Sequence, residues 1–257
     1  MRIGIFDSGV GGITVLKALQ SRFPAHSYLY FGDTAHVPYG SKSPAQIRTL
    51  CSQASARMQE HGIDALIIAC NTASSLALPE FREILAPIPI LDVVEAGVNA
   101  VTHALDSRPG AVLILGTRAT VRSRIYSTRL REKRATLDVF EQECPLLVPL
   151  IEEGWTEHAA LSLTIEEYVA PYRNLEPGLA LLACTHYPWI IESFRKKLPG
   201  WTLIDSAHAM AEIAGEHLGL LHSSPPDIHP PVEWYFSDPD ALSSRMLREI
   251  SGAPSVF

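Results

Sequence analysis

Residues 2–6 and 27–31 are short apolar runs that read as buried strands, and residues 13–23 between them carry helical spacing. Residues 32–42 are too polar and too rich in Gly and Pro to be regular. Ser43, Pro44 and Gln46 mark a helix start: a capping Ser, Pro at the first helical position and Gln at the third. That helix runs to about His61, stops at Gly62, and holds Cys51 as a packing residue. Residues 63–69 read as a strand, 74–85 as a helix that includes Pro79, 87–93 as a strand and 94–105 as a helix. The pattern then restarts. Residues 111–115 read as a strand, 121–133 as a helix and 137–141 as a strand; 146–153 is an apolar segment ending in two carboxylates. A helix over 157–172, a strand over 179–183, a helix over 189–197, a strand over 202–204 and a helix over 207–220 follow. A proline-rich connector, 223–231, leads to an edge strand over 232–237 and a short helix over 240–250.

Strands alternating with helices imply mainly parallel sheets with helices on both faces. The arrangement also reads as duplicated. From Asp7 to Cys70 is 63 positions and from Thr117 to Cys184 is 67, each measured from a strand end with a Gly-bearing turn to a strand end with a Cys. The expectation is an α/β protein of two pseudo-symmetric three-layer lobes with the active site in the cleft between them. Residues 1–93 plus 205–257 form the first lobe, which is discontinuous, and 94–204 the second.

Composition narrows the function classes. The chain has 257 residues, 47% hydrophobic and 19% charged, enough for a sizeable core. A net charge of −7 without a basic block argues against nucleic acid or an anionic membrane surface as the main partner. No apolar run reaches the length of a membrane span, and the N-terminus enters a strand with no signal-peptide pattern. A cytoplasmic location is therefore expected, where Cys51, Cys70, Cys144 and Cys184 stay reduced.

Two of those thiols stand out. Cys70 and Cys184 each end an apolar run, and polar residues follow: Asn71-Thr72 in one case, Thr185-His186 in the other. Ligands in open parallel sheets bind beyond the carboxyl ends of strands. A single strand-end Cys is more often core, because free Cys is among the most buried residue types. Two at mirrored positions favour chemistry. A thiolate on one face of a carbon removes a proton while a thiol on the other face donates one, which inverts the centre. Asp7 is placed to assist Cys70 and His186 to assist Cys184. A carboxylate such as Glu152 would orient the imidazole. Cys144, before Pro145 in an apolar loop, reads as core.

The stretches DSGVGG (7–12), FGDTAHVPYG (31–40), CNTA (70–73), GTRATVRSRIY (116–126), PLIEEG (149–154) and CTHYP (184–188) resemble the glutamate racemases, of the cofactor-independent aspartate/glutamate racemase superfamily. Each motif is short, but all six stand in the family order. The resemblance implies interconversion of L- and D-glutamate by two cysteine bases, no cofactor and no metal. It also implies supply of D-glutamate for peptidoglycan, and a homodimer. By position, Cys70 and Cys184 match the two bases, Asp7 and His186 their assisting groups, and Glu152 the carboxylate beside the histidine. Glu152 is preferred over Glu153 on motif register alone. Asp7, Ser8, Tyr39, Gly40, Asn71, Thr72, Thr185 and His186 match substrate-binding positions, with Thr120 as a further contact. His186 after Thr185 points to glutamate rather than aspartate. The chain opens almost at its first strand, so dependence on a peptidoglycan-precursor activator is not expected.

Other readings remain for the same residues. Gly9-Val10-Gly11-Gly12 is not a dinucleotide fingerprint, because Thr14 stands where the last Gly is needed; the loop suits backbone approach to a carboxylate. Asp33 and His36 read as solvated loop residues. A Cys–His hydrolase, a decarboxylase, a zinc site on Cys70, Cys184 and His186, and a two-lobed binding protein are the competing classes.

Overall fold

The structure is a computed structural model that describes residues 1–107, 110–220, 230–242 and 255–256. The chain first runs β1 (Arg2–Asp7), α1 (Ile13–Arg22), β2 (Ser27–Gly32), α2 (Pro44–Met58), β3 (Ala65–Ile68), α3 (Asn71–Ile84) and β4 (Ile90–Asp92). Helix α4 (Val93–Ser107) leads to β5 (Val112–Gly116), α5 (Arg118–Ser123), α6 (Ile125–Lys133), β6 (Val139–Glu143), α7 (Leu147–Glu152) and α8 (Ala159–Val169). Then come β7 (Leu179–Ala183), α9 (Ile191–Lys197), β8 (Thr202–Asp205), α10 (Ser206–Leu218), β9 (Val232–Phe236) and β10 (Ser255–Val256).

Two sheets result, with strand orders β10-β9-β2-β1-β3-β4 and β6-β5-β7-β8. Every pairing among the described residues is parallel. The duplication is explicit in these orders. In each half the first strand is flanked by the second and third, and the fourth lies beyond the third. Cys70 follows β3 and Cys184 follows β7, so the two thiols occupy equivalent places.

The inner strands β3, β5 and β7 read as apolar runs because both faces of each sheet are covered there, whereas β6 (VFEQE), at a sheet edge, carries three polar residues and is only partly buried. In the first sheet Ile3 and Ile5 pack with α1 and α10, while Phe6, Leu29 and Phe31 pack with α2 and α3. In the second, Leu113 and Leu115 face one cluster and Val112 and Ile114 the other. Helix α4 serves both lobes. Val93 and Ala96 join the core of the first sheet; Val94, Val98, Val101 and Leu105 join that of the second. No helix among the described residues is long and apolar enough to cross a membrane.

Several elements differ from the sequence expectation for local reasons. Helix α3 begins at Asn71 rather than at residue 74, because Cys70 itself is the N-cap: it is extended (φ −67°, ψ 115°) and its Sγ accepts from the Ala73 N–H. The expected helix over 121–133 is two helices, broken at Arg124, whose φ of 58° is left-handed. The strand over 232–236 is not at the edge, since β10 pairs with it. Of the expected tail helix, residues 239–241 form a single 3₁₀ turn and those beyond 242 lie outside the described residues. Most of the proline-rich connector lies outside them too.

Candidate active site

The carboxyl ends of both sheets open into one cleft, which encloses about 700 Å³ including its mouth. Its walls include Ser8, Tyr39, Gly40, Cys70, Asn71 and Thr72 from the first lobe and Thr117, Glu152, Cys184, Thr185 and His186 from the second. Residues more than a hundred positions apart in sequence thus share one surface, and both matched cysteines are on it.

Each thiol has its own set of partners. The Cys70 thiol donates to Ser8 Oγ at 3.3 Å, and its sulfur also receives the Ala73 N–H at 3.4 Å. Burial and the nearby Asp7 carboxylate push Cys70 up to about 12, against the hydrogen bond to Ser8. Cys184 Sγ lies 4.0 Å from His186 Nδ1, and His186 Nε2 lies 2.9 Å from Glu152 Oε1. Burial opposes charge on the imidazole, but the Cys184 sulfur and the Glu152 carboxylate outweigh it and raise His186 to about 10. Glu152, not Glu153, makes this contact.

Asp7 ends β1 and is fully buried. Its carboxylate accepts from the Gly9 N–H at 3.0 Å and from the Thr185 hydroxyl at 3.3 Å. Burial raises its pKa, and the charge of His186 partly offsets this. Asp7 therefore touches Thr185 directly and acts on Cys70 through its field; the group in contact with Cys70 is Ser8.

The Gly-rich loop after β1 is a seam between the lobes. A Cβ on Gly11 would lie 2.3 Å from Thr185 Oγ1 and 2.4 Å from His186 Nδ1. Thr14, the residue that breaks the dinucleotide fingerprint, donates through Oγ1 to Gly11 O at 2.9 Å, and the same hydroxyl lies 3.0 Å from Thr185 O. Gly40 meets Thr117 in the same way, with a would-be Cβ at 2.7 Å from Thr117 Cβ. Three hydroxyls close the far side: Thr72 is 2.9 Å from Thr117 and 3.3 Å from Thr120, and Thr117 is 3.0 Å from Thr120. Thr120 stands behind the wall rather than in it, whereas Thr117, to which the sequence assigns no role, lines the cleft. Its signal was present: it caps α5 as Cys70 caps α3.

Two further residues depart from expectation. Asp33 is buried, not solvated. It accepts from Tyr39 OH at 2.6 Å and Ser237 Oγ at 2.7 Å, and pairs with His36 Nδ1 at 2.8 Å, so it fixes the tyrosine that lines the cleft. Cys144 is buried but also lines the cleft, and burial raises its thiol pKa. Cys51 is in the core between α2 and its sheet. Among the described residues, no group of three or more His, Cys, Asp or Glu is placed to hold a metal ion.

A family model described as Asp/Glu/Hydantoin racemase matches residues 13–214. A glutamate racemase of Chlorobaculum tepidum is 45% identical over 229 residues, 87% of this chain and 83% of that one. One of Syntrophus aciditrophicus is 39% identical over 239 residues, 92% and 87% of the two chains. The crystal structure of glutamate racemase from Francisella tularensis in complex with D-glutamate is similar at a TM-score of 0.87, covering 99% of this chain and 95% of that one at 32% identity.

Proposed function

The chain belongs to the Asp/Glu/hydantoin racemase family and is an amino-acid racemase; from that premise we propose that it interconverts L- and D-glutamate with Cys70 and Cys184 as its two bases. The observation that carries this reading is the shared cleft in which each thiol has separate assisting groups.

In one direction a thiolate removes the α-proton: the C–H bond breaks, an S–H bond forms, and the electron pair is delocalised into the substrate carboxylate. The thiol on the opposite face then gives its proton to the same carbon, leaving a thiolate and the mirror-image product. The reverse reaction exchanges the roles, so each sulfur must be able to rest in either state.

The surroundings suit that exchange. Imidazolium at His186 stabilises negative charge on Cys184, and Glu152 stabilises the imidazolium in turn. At Cys70 the positive end of the α3 dipole and the Ala73 N–H favour thiolate, while burial and Asp7 favour thiol. These opposing influences let Cys70 hold its proton in one direction of the reaction and give it up in the other. Backbone N–H groups at the starts of α3 and α5, with the hydroxyls of Ser8, Thr72 and Thr185, form the polar wall that would receive the substrate's carboxylates and ammonium. Tyr39, Gly40 and Asn71 complete it. The product's place is in peptidoglycan synthesis, which consumes D-glutamate.

The test is deuterium wash-in. In D₂O, with L- or D-glutamate and no added pyridoxal phosphate, the α-position should acquire deuterium, and aspartate should exchange far more slowly. No exchange with either glutamate enantiomer would end the racemase reading; faster exchange with aspartate would reassign the substrate.

A further inference from the structure

Three interior side chains tie the helix behind Cys70 to the second lobe. Asn71 is the first residue of α3, directly after the Cys70 cap. Its Nδ2 donates to Ser206 Oγ at 3.2 Å, and its Oδ1 accepts from Tyr126 OH at 2.6 Å. The same tyrosine hydroxyl lies 3.4 Å from the Val93 carbonyl. Asn71, Tyr126 and Ser206 are each 2% exposed or less.

The location of these partners is what gives the tie meaning. Tyr126 belongs to α6 and packs in the core of the second sheet. Val93 opens α4 and Ser206 opens α10, and these are the two points where the chain leaves one sheet for the other. One asparagine thus joins the first lobe, the second lobe and one crossing directly, and the other crossing through Tyr126. The Tyr126 ring packs in an apolar cluster while its hydroxyl is bonded to Asn71 and the Val93 carbonyl, and a buried hydroxyl is costly unless bonded. Asn71 also lines the cleft, so the same side chain belongs to the binding wall and to the interlobe contact.

We propose that Tyr126 is a positioning residue of the racemase: through Asn71 it fixes the start of α3, and with it the Cys70 thiol, against the lobe that carries Cys184. The inference rests on Cys70 and Cys184 being the two bases. In a two-base reaction the sulfurs must stand on opposite faces of one small carbon centre. A displacement that moves only one of them harms one proton transfer and not the other.

Tyr126→Phe removes the hydroxyl and keeps the ring. The measurement is the α-deuterium isotope effect on kcat/KM for L- and for D-glutamate, with kcat measured alongside. Isotope effects do not depend on how much enzyme is folded, so a loss of stability alone leaves them unchanged. With Cys70 held off its attacking position, kcat falls about tenfold, since displacements below 1 Å already weaken near-attack geometry. The isotope effect rises for the enantiomer that Cys70 deprotonates and does not rise for the other. Ser206→Ala, which loosens the second bond to Asn71, shifts the same isotope effect in the same direction. Wild-type isotope effects for both enantiomers in both variants would reduce the tie to a structural role and overturn the proposal. An equal rise for both enantiomers would overturn it as well, because the tie would then act on the substrate rather than on one thiol. Failure of the two-base reading is seen separately, as wild-type-like racemisation by a Cys70→Ser enzyme.

Discussion

Gly11→Ala puts one methyl group into the seam between the lobes. On the existing backbone the new Cβ lies 2.3 Å from Thr185 Oγ1 and 2.4 Å from His186 Nδ1, where ordinary contact begins near 3.4 Å. Something must therefore retreat by about 1 Å (3.4 less 2.3). Gly11 is not among the left-handed glycines, so alanine suits the backbone and the whole cost is steric. The neighbours are poorly able to yield. Thr185 is held through its hydroxyl to Asp7 and through its carbonyl to Thr14, and His186 is held to Glu152. Overpacking of this kind costs about 1–3 kcal/mol of stability. A misplacement of about 1 Å at a reacting group costs on the order of 10²-fold in rate. The variant should remain folded with a lowered Tm, and kcat should fall about 100-fold. Circular-dichroism assay of L-glutamate racemisation reads the rate, and thermal unfolding reads the stability. Activity within twofold of wild type would refute the reasoning, because it would mean that His186 and Thr185 can shift without consequence.

Three other outcomes follow from the same geometry. Glu152→Gln removes the carboxylate that helps raise His186 to about 10, so the alkaline limb of the kcat/KM profile should move to lower pH; an unmoved limb would mean that Glu152 does not support the imidazolium. Asp7, Cys70 and His186 all have raised pKa values in the folded protein, so each favours binding its proton in the native state. His186 contributes stability that is fully present below its ordinary value of 6.5 and is lost as pH rises through about 10. Urea unfolding across that window should show falling stability with rising pH, and His186→Asn should flatten the slope. Cys51→Ala removes a core sulfur that stands behind Tyr39 and does not line the cleft; it should lower stability by about 1 kcal/mol and leave kcat and KM at wild-type values, because Asp33 still holds the Tyr39 hydroxyl, measured by unfolding and steady-state kinetics.

The sequence carried the fold because both signals involved are local. Doubly covered strands must be apolar throughout, and the repeated strand-to-Cys spacing mirrors the matched strand orders of the two sheets. The start of α3 is not legible in the sequence because Cys is not a usual cap, and Asn71-Thr72-Ala73 looks like loop until Cys70 is seen to accept the Ala73 N–H. The break at Arg124 has no Gly or Pro to announce it. Long-range partners were harder still. Asp33 sits in a polar stretch and looks solvated, but its partner Ser237 is on the far end of the chain. Nothing in the spacing of Asn71, Tyr126 and Ser206 indicates that they meet.

The central claim is that Cys70 and Cys184 act as separate bases on opposite faces of one α-carbon. Racemisation by Cys70→Ser and Cys184→Ser, each confirmed as folded by circular dichroism, tests it most directly. Loss of full racemisation of glutamate in both variants is the expected result, because each face needs its own thiol. Full activity in either variant would contradict the account.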